Sequence, residues 1–401
     1  MKFLIERGTL VDTMAAITRV AQRSGELPIR ACVKIETQGD RIAITGLDAH
    51  VWLTVKAAAE IQQPGATVVN AALLADAAKA CAPGSQVEFN APPAAEDNAP
   101  AAFGTVKAGK ARFRLPLLPA ADFPSGKDLG DATAWTIAAT DLRFLLGRVS
   151  HAMSTDDTKY YLNGVFLTVA RDVEGDGGLV LRAFATDSSR AASAHVAAEA
   201  DVVDAFAELT RHPIIPRQTV AHLLRFTEAD GAVGCKVADG QISFEFADTL
   251  LISRLLDADF PDVEQVFTIT ARHNLKVAVG RSDLSDLVAR LTPFAGGAKE
   301  KSLVVEFSGT VAAASARVDA SEANDEIATG GLTDGQPGGA PAPISVILQT
   351  KFLRDCLEAG AGDRVELAML PLDVKVPGSA TVRFAFPDEP RLRLMVQRMR
   401  A

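Results

Sequence analysis

Side chains that could carry bond chemistry are scattered through this sequence and form no known catalytic motif. The six histidines lack the HExxH or paired spacing that would hold zinc. The glycine–lysine pairs that begin at Gly109 and Gly126 are followed by alanine and aspartate, so neither is a phosphate-binding P-loop. Neither a GxSxG nor a GxGxxG motif occurs. The sequence therefore predicts a binding protein with no cofactor and no metal, and suggests no enzyme.

Adjacent carboxylates and widely spaced cysteines complete the set of reactive side chains. Asp156 and Asp157 could be paired acids, but neighbouring residues do not converge on one substrate atom, so a solvated turn is the simpler interpretation. No run of about 18 apolar residues occurs, so we expect no membrane span. The four cysteines form no CxxC pair, and we predict that they are buried and reduced in a cytoplasmic protein: Cys32, Cys81, Cys235 and Cys356.

The charge of the chain excludes a strongly basic nucleic-acid binder. Lysine and arginine number 41 and aspartate and glutamate 50, which gives a net charge of −9. Positive charge nevertheless exceeds negative charge on the predicted helices, whereas the remaining sequence is acidic. Solvated helix faces and a shared phosphate-binding surface both explain this distribution, and charge alone leaves both open.

The elements that must position those basic residues recur along the chain. Helical periodicity predicts segments at 10–23, 70–81, 140–153, 216–226, 281–294 and 350–358. Related segments at 112–124, 252–261 and 391–396 contain alternating apolar and polar residues, which predict strands. We therefore predict an α+β fold of three repeated domains, each with two helices packed on antiparallel sheets, at 1–130, 131–268 and 269–401. The Gly-, Pro- and acid-rich stretch 319–343 is expected to be a flexible loop.

Short motifs distributed over the whole chain occur in a fixed order. They are MKF at 1–3, RFRLP at 112–116 with DFP at 122–124, YYLNG at 160–164, ATD at 185–187 with Arg190, IIPR at 214–217, DFPD at 259–262 and MR at 399–400. Together they make the chain similar to the bacterial sliding clamp, the beta subunit of DNA polymerase III.

The resemblance implies three clamp-type domains per subunit and a head-to-tail ring dimer. Such a ring encircles double-stranded DNA without reading its sequence. It tethers the DNA polymerase III catalytic subunit, the clamp loader, and other polymerases and repair proteins through a short linear motif. The alternative is a divergent clamp-like scaffold that binds proteins and does not encircle DNA.

The resemblance also assigns DNA contacts and dimer contacts. Two edge strands are expected to pair across the subunit boundary, near Phe113 and Leu115 of one subunit and Phe294 of the other. A loop with the only two tyrosines is expected to touch DNA, although the two rings could instead cap a core. The predicted DNA-binding residues are Arg19, Arg23, Lys79, Arg143, Arg148, Lys159, Tyr160, Tyr161, Arg217, Arg281 and Lys351.

The partner-peptide pocket is the second site that the resemblance implies. Its predicted residues are Leu162, Thr186, Asp187, Ser188, Ser189, Arg190, Pro261, Val266, Val396, Gln397, Arg398, Met399 and Arg400. The family's usual Gly-His-Arg-Leu is replaced here by residues 188–191, Ser-Ser-Arg-Ala, and its usual Met-Pro-Met-Arg-Leu tail by residues 397–401, Gln-Arg-Met-Arg-Ala. These changes remove apolar bulk and add a charge. We therefore predict weaker binding of a generic partner peptide and a preference for acidic peptides, through Arg398 and Arg190.

Overall fold

The computed structural model describes the chain in two compact units. The described residues are 1–21, 28–92, 103–124, 126, 129–172, 175, 177–228, 230–238, 240–296, 301–334, 341–373, 375–376 and 378–399. The first unit comprises Met1–Ala139, Ala207–Thr210 and Ala229–Leu255, and the second comprises Thr140–Phe206, Arg211–Glu228 and Leu256–Ala401. The division into three segments at 130 and 268 stays a prediction.

Eight α-helices occur in the described ranges. They are α1 (Arg7–Ile17), α2 (Ala71–Ala80), α3 (Ala139–Val149), α4 (Ala200–Ala207), α5 (Arg217–Phe226), α6 (Val263–Thr270), α7 (Arg281–Leu291) and α8 (Thr350–Ala359). Each of the six predicted helices is present, while α4 and α6 were not predicted. Helix α1 begins before residue 10 because the Glu6 carboxylate accepts a hydrogen bond from the Thr9 backbone N–H at 2.7 Å and caps it. No helix in these ranges has the length and apolar character needed to cross a membrane.

The strands of the first unit form one antiparallel sheet. In chain order they are β1 (Lys2–Glu6), β2 (Cys32–Gln38), β3 (Arg41–Leu47), β4 (Val51–Ala58), β5 (Glu60–Gln63), β6 (Ala66–Asn70), β7 (Gln86–Asn90), β8 (Phe103–Ala108), β9 (Ala111–Leu118) and β10 (Ala134–Ala138), followed by β15 (Ala232–Ala238), β16 (Gln241–Phe246) and β17 (Thr249–Arg254). Their order across the sheet is β10-β15-β16-β17-β4-β3-β2-β6-β9-β8-β7-β1-β5.

The second unit holds the other sheet, which is also antiparallel. Its strands are β11 (Gly164–Arg171), β12 (Leu179–Thr186), β13 (Arg190–Ala197), β14 (Ile214–Pro216), β18 (Leu275–Gly280), β19 (Ser302–Ser308), β20 (Val311–Val318), β21 (Ser321–Thr333), β22 (Ile344–Gln349), β23 (Arg364–Met369), β24 (Thr381–Ala385) and β25 (Leu392–Gln397). Their order is β14-β11-β12-β13-β25-β24-β23-β18-β21-β20-β19-β22. The two sheets confirm the predicted α+β class.

The predicted flexible loop at 319–343 is wrong over much of its length. Residues Ser321–Thr333 form β21, which pairs with β20 from Val318↔Ser321 to Val311↔Ala328. Acidic composition did not prevent a strand, because alternate side chains of β21 face solvent while its backbone is hydrogen-bonded to β20. Asp319 makes the turn with a φ of 51°, and residues 335–340 lie outside the described ranges.

Six helices, α1, α2, α3, α5, α7 and α8, bury an apolar face and carry charged residues that remain exposed. In the first unit Leu10, Met14 and Ile17 of α1 join Leu74 and Ala78 of α2 in one buried cluster. In the second unit the corresponding buried side chains are Leu142, Leu145 and Leu146 of α3, Val220 and Leu223 of α5, Leu284 and Leu287 of α7, and Leu353 and Leu357 of α8. Burial of the apolar face of a helix determines which of its basic residues remain at the surface. All four cysteines are free and buried, as predicted.

We predict that Gly164→Ala destabilises the second unit by about 1–3 kcal/mol, the usual cost of overpacking. A Cβ at Gly164 would collide with the Ile215 carbonyl oxygen across the β11–β14 pair. Gly234→Ala in β15 is the matched control, because its Cβ would meet nothing closer than Glu245 Cβ at 3.7 Å. Urea unfolding measures both, and equal unfolding free energies for the two variants would contradict the prediction.

Candidate functional site

The predicted DNA-binding residues fall into three structural groups, of which the first consists of exposed cations on or next to helices. Arg19 follows α1, and Lys79, Arg143 and Lys351 lie on α2, α3 and α8; all four side chains are exposed. Long, exposed cationic side chains can reach phosphates without fixed geometry. Arg23 lies outside the described residues.

Two of the predicted DNA contacts are engaged at the end of a helix. Arg148 Nη1 donates to the Ala359 carbonyl at 2.6 Å, and Arg281 donates from Nε to Gly362 at 2.6 Å and from Nη1 to Leu357 at 3.1 Å. These carbonyls belong to the C-terminal end of α8 and the turn after it, where α8 leaves acceptors without intrahelical donors. Both arginines therefore have a structural role at α8.

The tyrosine loop, Asp157–Leu162, consists of two short 3₁₀ turns separated by a kink at Lys159. Tyr160 is 53% exposed, which excludes a core-capping role for that ring. Tyr161 is half-buried and meets Tyr160 edge-to-face, with ring centroids 6.1 Å apart. Lys159 Nζ donates to Ser188 Oγ at 3.3 Å, so one predicted DNA contact touches a residue of the predicted pocket.

Arg217 anchors the segment that leads into this loop. Its Nη1 donates to the Ser154 carbonyl at 3.0 Å, and the Ser154 backbone N–H donates to the Leu162 carbonyl at 3.0 Å. The half-buried Arg217 guanidinium therefore stabilises the segment that supports the tyrosine loop, and it also adds positive charge there.

Many of the predicted pocket residues meet around one cavity of about 350 Å³. The predicted residues that line it are Leu162, Thr186, Ser188, Ser189, Arg190, Pro261, Val266 and Gln397. Tyr161 and Ala191 also line it, together with four residues absent from the prediction: Asp262, Val263, Thr381 and Met395. The floor is apolar and the rim carries hydroxyl and amide groups, which suits an extended peptide with an aliphatic anchor.

Only part of the C-terminal segment predicted for the pocket lines this cavity. Met395 and Gln397 of β25 line the cavity, whereas Val396 is fully buried and does not. A strand alternates its side chains between two faces, so consecutive residues cannot all enter one cavity. The alternation of β25 could have shown from the sequence that Met395 and Gln397 share one face of the strand. Met395 pairs with Ala191, which also lines the cavity. Met399 does not line the cavity, and Arg400 lies outside the described residues.

Arg398 does not enter the cavity either. Its side chain is 7% exposed and its Nη2 donates to the Leu370 carbonyl at 2.6 Å. Nε and Nη1 are buried with no hydrogen-bond partner among the described residues. Burial lowers the Arg398 pKa to about 10, so the side chain remains charged at neutral pH. The geometry gives no support to acidic-peptide selection by Arg398.

The turn beside the cavity is stabilised by its own side chains. Thr186 Oγ1 donates to the Arg190 carbonyl at 2.7 Å, and Asp187 Oδ1 accepts from the backbone N–H groups of Ser189 and Arg190 at 2.9 and 3.0 Å. Asp187 therefore holds the turn and does not line the cavity. Ser188 occupies the left-handed region with a φ of 79°, a conformation that favours glycine.

Arg190 has two carboxylate partners at the cavity wall. Its Nε contacts Asp187 Oδ2 at 2.9 Å and its Nη1 contacts Asp355 Oδ2 of α8 at 2.6 Å. Its guanidinium also lies 4.4 Å from the centroid of the Phe352 ring. Only 5% of the Arg190 side chain is exposed.

A larger cavity of about 860 Å³ lies among α3, α5 and α8 in the second unit. It brings Arg143 and Arg148 together with His151 and Asp355, so its walls carry both signs of charge. Burial, and then the charge of Arg190, lower the His151 pKa to about 4. His151 is therefore neutral at pH 7.

The predicted dimer residues lie at exposed or unpaired positions. Strand β9 pairs with β8 from Ala111 to Pro116, and with β6 only at Leu117 and Leu118. Among the described strands nothing pairs with the other edge of β9 at Phe113 and Leu115. Phe294 ends a 3₁₀ turn after α7 and is 41% exposed.

We predict that His151→Gln flattens the loss of stability below pH 6.5. The folded-state pKa of His151 lies below its ordinary value of 6.5, so protons bind the unfolded chain more readily. The loss of folding free energy caused by protonation of His151 begins as pH falls through 6.5 and is complete below about 4. The variant should lose on the order of 2 kcal/mol less than the wild type across that window. Chemical unfolding at pH 7 and pH 4.5 measures this, and parallel losses in both proteins would contradict it.

Comparison with known proteins assigns these features to one family. Residues 1–127 match the N-terminal domain and residues 136–262 the central domain of the DNA polymerase III beta subunit. The chain is 32% identical over 294 residues to the beta sliding clamp of Pseudomonas aeruginosa, covering 72% of this chain and 74% of that protein. It is 28% identical over 397 residues to the Caulobacter vibrioides beta sliding clamp, covering 98% and 95%.

A solved structure has the same fold over the full length. The beta sliding clamp of Caulobacter crescentus superimposes with a TM-score of 0.87 at 25% identity, covering 100% of this chain and 99% of that one. That family is a non-catalytic processivity factor, which agrees with the lack of catalytic motifs. The chain is a divergent member of the bacterial DNA polymerase III beta subunit family, the beta sliding clamps.

Proposed function

We propose that this chain works as a ring-shaped homodimer that encircles duplex DNA and tethers DNA polymerase III and other replication and repair proteins. The observation that carries this proposal is an equivalent pairing of two strands, here called the junction, that occurs once in each unit. In each unit it leaves one further strand with an unpaired edge among the described strands. The matches at 1–127 and 136–262 support the predicted threefold division that underlies it.

The junction occurs twice within the chain. In the first unit β17 pairs antiparallel with β4, and in the second β25 pairs antiparallel with β13. Strands β9, β17 and β25 are the last strands of the three predicted domains. Strands β4, β13 and β21 also occupy equivalent positions, because each is the fourth strand of its predicted domain. One strand of each kind remains, β9 and β21.

Both remaining strands have an available edge. Between Ser321 and Ala328, β21 pairs with β20 on one side only, among the described strands. The charges are complementary, because Arg112 and Arg114 are exposed on β9 and Glu322 and Glu326 are exposed on β21. Pairing β9 of one subunit with β21 of another repeats the internal junction head to tail. Two such pairings close a ring.

We predict that Phe294→Asp makes the protein monomeric at micromolar concentration. In the proposed dimer the Phe294 side chain becomes buried, and a carboxylate there would have no partner. Leu179→Asp is the control, because Leu179 is equally exposed at 41% but lies on β12, away from both edges. Multi-angle light scattering measures the mass. A monomeric wild type, or a dimeric Phe294→Asp variant, would contradict the assignment.

The DNA interaction is proposed to rest on the exposed cations of the helices. Arg19, Lys79, Arg143 and Lys351 carry charge at the surface, and none belongs to a motif that reads base edges. Such contacts release counterions and do not depend on sequence, which suits a ring that must slide.

We predict that replacing Arg19, Arg143 and Lys351 by alanine reduces the salt dependence of duplex binding, because each cation that no longer meets a phosphate lowers the slope by about one. Lys276→Ala on strand β18 is the control for removal of a positive charge, since Lys276 is exposed beside Glu366 and is not among the predicted DNA-binding residues. Fluorescence anisotropy at several salt concentrations measures the slopes. Tenfold tighter binding to one duplex sequence than to its scrambled version would contradict the proposal.

A protein-binding scaffold that never encircles DNA is the alternative function. The ring function and the scaffold function are distinguished by loading the protein on circular nicked plasmid with a clamp loader and then linearising the plasmid. We expect retention on the circle and loss from linear ends, because a topological link ends when the ring slides off. Equal retention on both forms favours the scaffold.

A further inference from the structure

We infer that Asp355 of helix α8 determines the charge selectivity of the peptide pocket by adding a second carboxylate to the Arg190–Asp187 pair. The inference rests on the proposed function, because it takes the 350 Å³ cavity to be the partner-peptide site. It changes what the sequence predicts for that site: the native pocket does not prefer acidic peptides.

The geometry places Asp355 behind the cavity wall. Arg190 lines the cavity, and Asp355 does not. Asp355 reaches the guanidinium from α8 with an Oδ2–Nη1 distance of 2.6 Å, and its side chain is only 15% exposed. Phe352, one turn earlier on α8, covers the guanidinium at 4.4 Å. Helix α8 therefore fixes both the position and the net charge of this part of the wall.

The charge balance around Arg190 decides what a ligand encounters. Asp187 and Asp355 place two carboxylates on one guanidinium, so the group of three side chains is negative overall. A peptide carboxylate would be a third anion on the same cation. Asp262 is the other charged residue that lines the cavity, and it adds negative charge. Lys159 is the nearby cation outside the lining, and its Nζ donates to Ser188 at the rim.

Asp355 can be changed with less disturbance than Asp187. The Asp187 carboxylate also accepts two backbone N–H groups of the turn, so its loss would disorder the rim. Asp355 instead contacts arginine side chains, Arg190 at 2.6 Å and Arg354 at 4.0 Å. Asp355→Asn keeps the shape of the side chain and removes its charge. The group of Arg190, Asp187 and residue 355 then changes from a net charge of −1 to zero, so it repels a peptide carboxylate less.

The test uses two blocked, fluorescein-labelled peptides, Ala-Gln-Leu-Asn-Leu-Ala and Ala-Gln-Leu-Asp-Leu-Ala, which differ by one charge. The quantity is the ratio of their dissociation constants, measured by anisotropy for the full-length protein. We expect no preference for the acidic peptide in the wild type, whose Arg190 group is negative, and a shift of about five- to tenfold towards the acidic peptide in Asp355→Asn, as one charge interaction contributes about 1 kcal/mol. Glu358→Gln is the matched control, because it removes an exposed carboxylate from the same helix.

A second variant separates selectivity from folding. Asp355→Asn combined with Arg190→Gln should return the ratio to the wild-type value, since Asp187 then gives the group the same net charge of −1 as in the wild type. An unchanged ratio in Asp355→Asn, an equal shift in Glu358→Gln, or an acidic preference already present in the wild type overturns the inference while the proposed function stands. Failure of both peptides to bind the wild type, or undiminished binding of both when Leu162→Asp blocks the floor, overturns the peptide-site assignment and the inference with it.

Discussion

The antiparallel pairing of β25 with β13 is the interaction on which the candidate site depends. It places Met395 opposite Ala191 and joins the Gln397 N–H to the Ser189 carbonyl at 2.8 Å. Without this ladder, the turn at 186–190 and the C-terminal strand would not share a cavity. The same kind of junction between β17 and β4 organises the first unit. An unpaired strand edge exposes backbone hydrogen-bonding groups that need a partner or protection. The same pairing satisfies these groups inside each unit, and the proposed dimer satisfies them at the two remaining edges.

A buried ionic network holds the floor of the pocket against that sheet. Glu264 on α6 accepts from Arg182 Nη1 at 3.0 Å and from Arg393 at 2.9 and 2.7 Å, and both arginine side chains are almost fully buried. Burial acts to raise the Glu264 pKa, but the hydrogen bonds and charges of Arg393 and Arg182 outweigh it and lower the pKa. The resulting stabilisation is complete above the ordinary glutamate range and is lost as pH falls through the lowered folded-state pKa. Helix α6 thereby keeps Val263 and Val266 at the cavity.

Arginine serves different purposes at different positions of this chain. Arg148 and Arg281 satisfy carbonyls at the end of α8, and Arg190 is neutralised by two carboxylates. Arg143 and Arg19 remain exposed to solvent. The charge of Arg190 is paired with carboxylates, whereas Arg148 and Arg281 keep their charge but use guanidinium donors on backbone carbonyls, which holds them in place at α8. The electrostatic contribution to DNA binding therefore rests on a smaller set of cations than a count of basic helix residues indicates.

The sequence by itself determined the family and most of the described helices. Apolar periodicity located six of the helices, and motifs such as those at 112–116 and 214–217 indicated a sliding clamp without any tertiary information. Local patterns suffice there, because helix and strand propensity depend on neighbouring residues. The sequence misjudged 319–343, where composition suggested a loop and pairing with β20 made a strand. Only the tertiary structure decided which side of β25 faces the pocket, where Arg398 is buried, and that Asp355 meets Arg190. These outcomes depend on strand register and on contacts between residues far apart in sequence, and no local pattern encodes them.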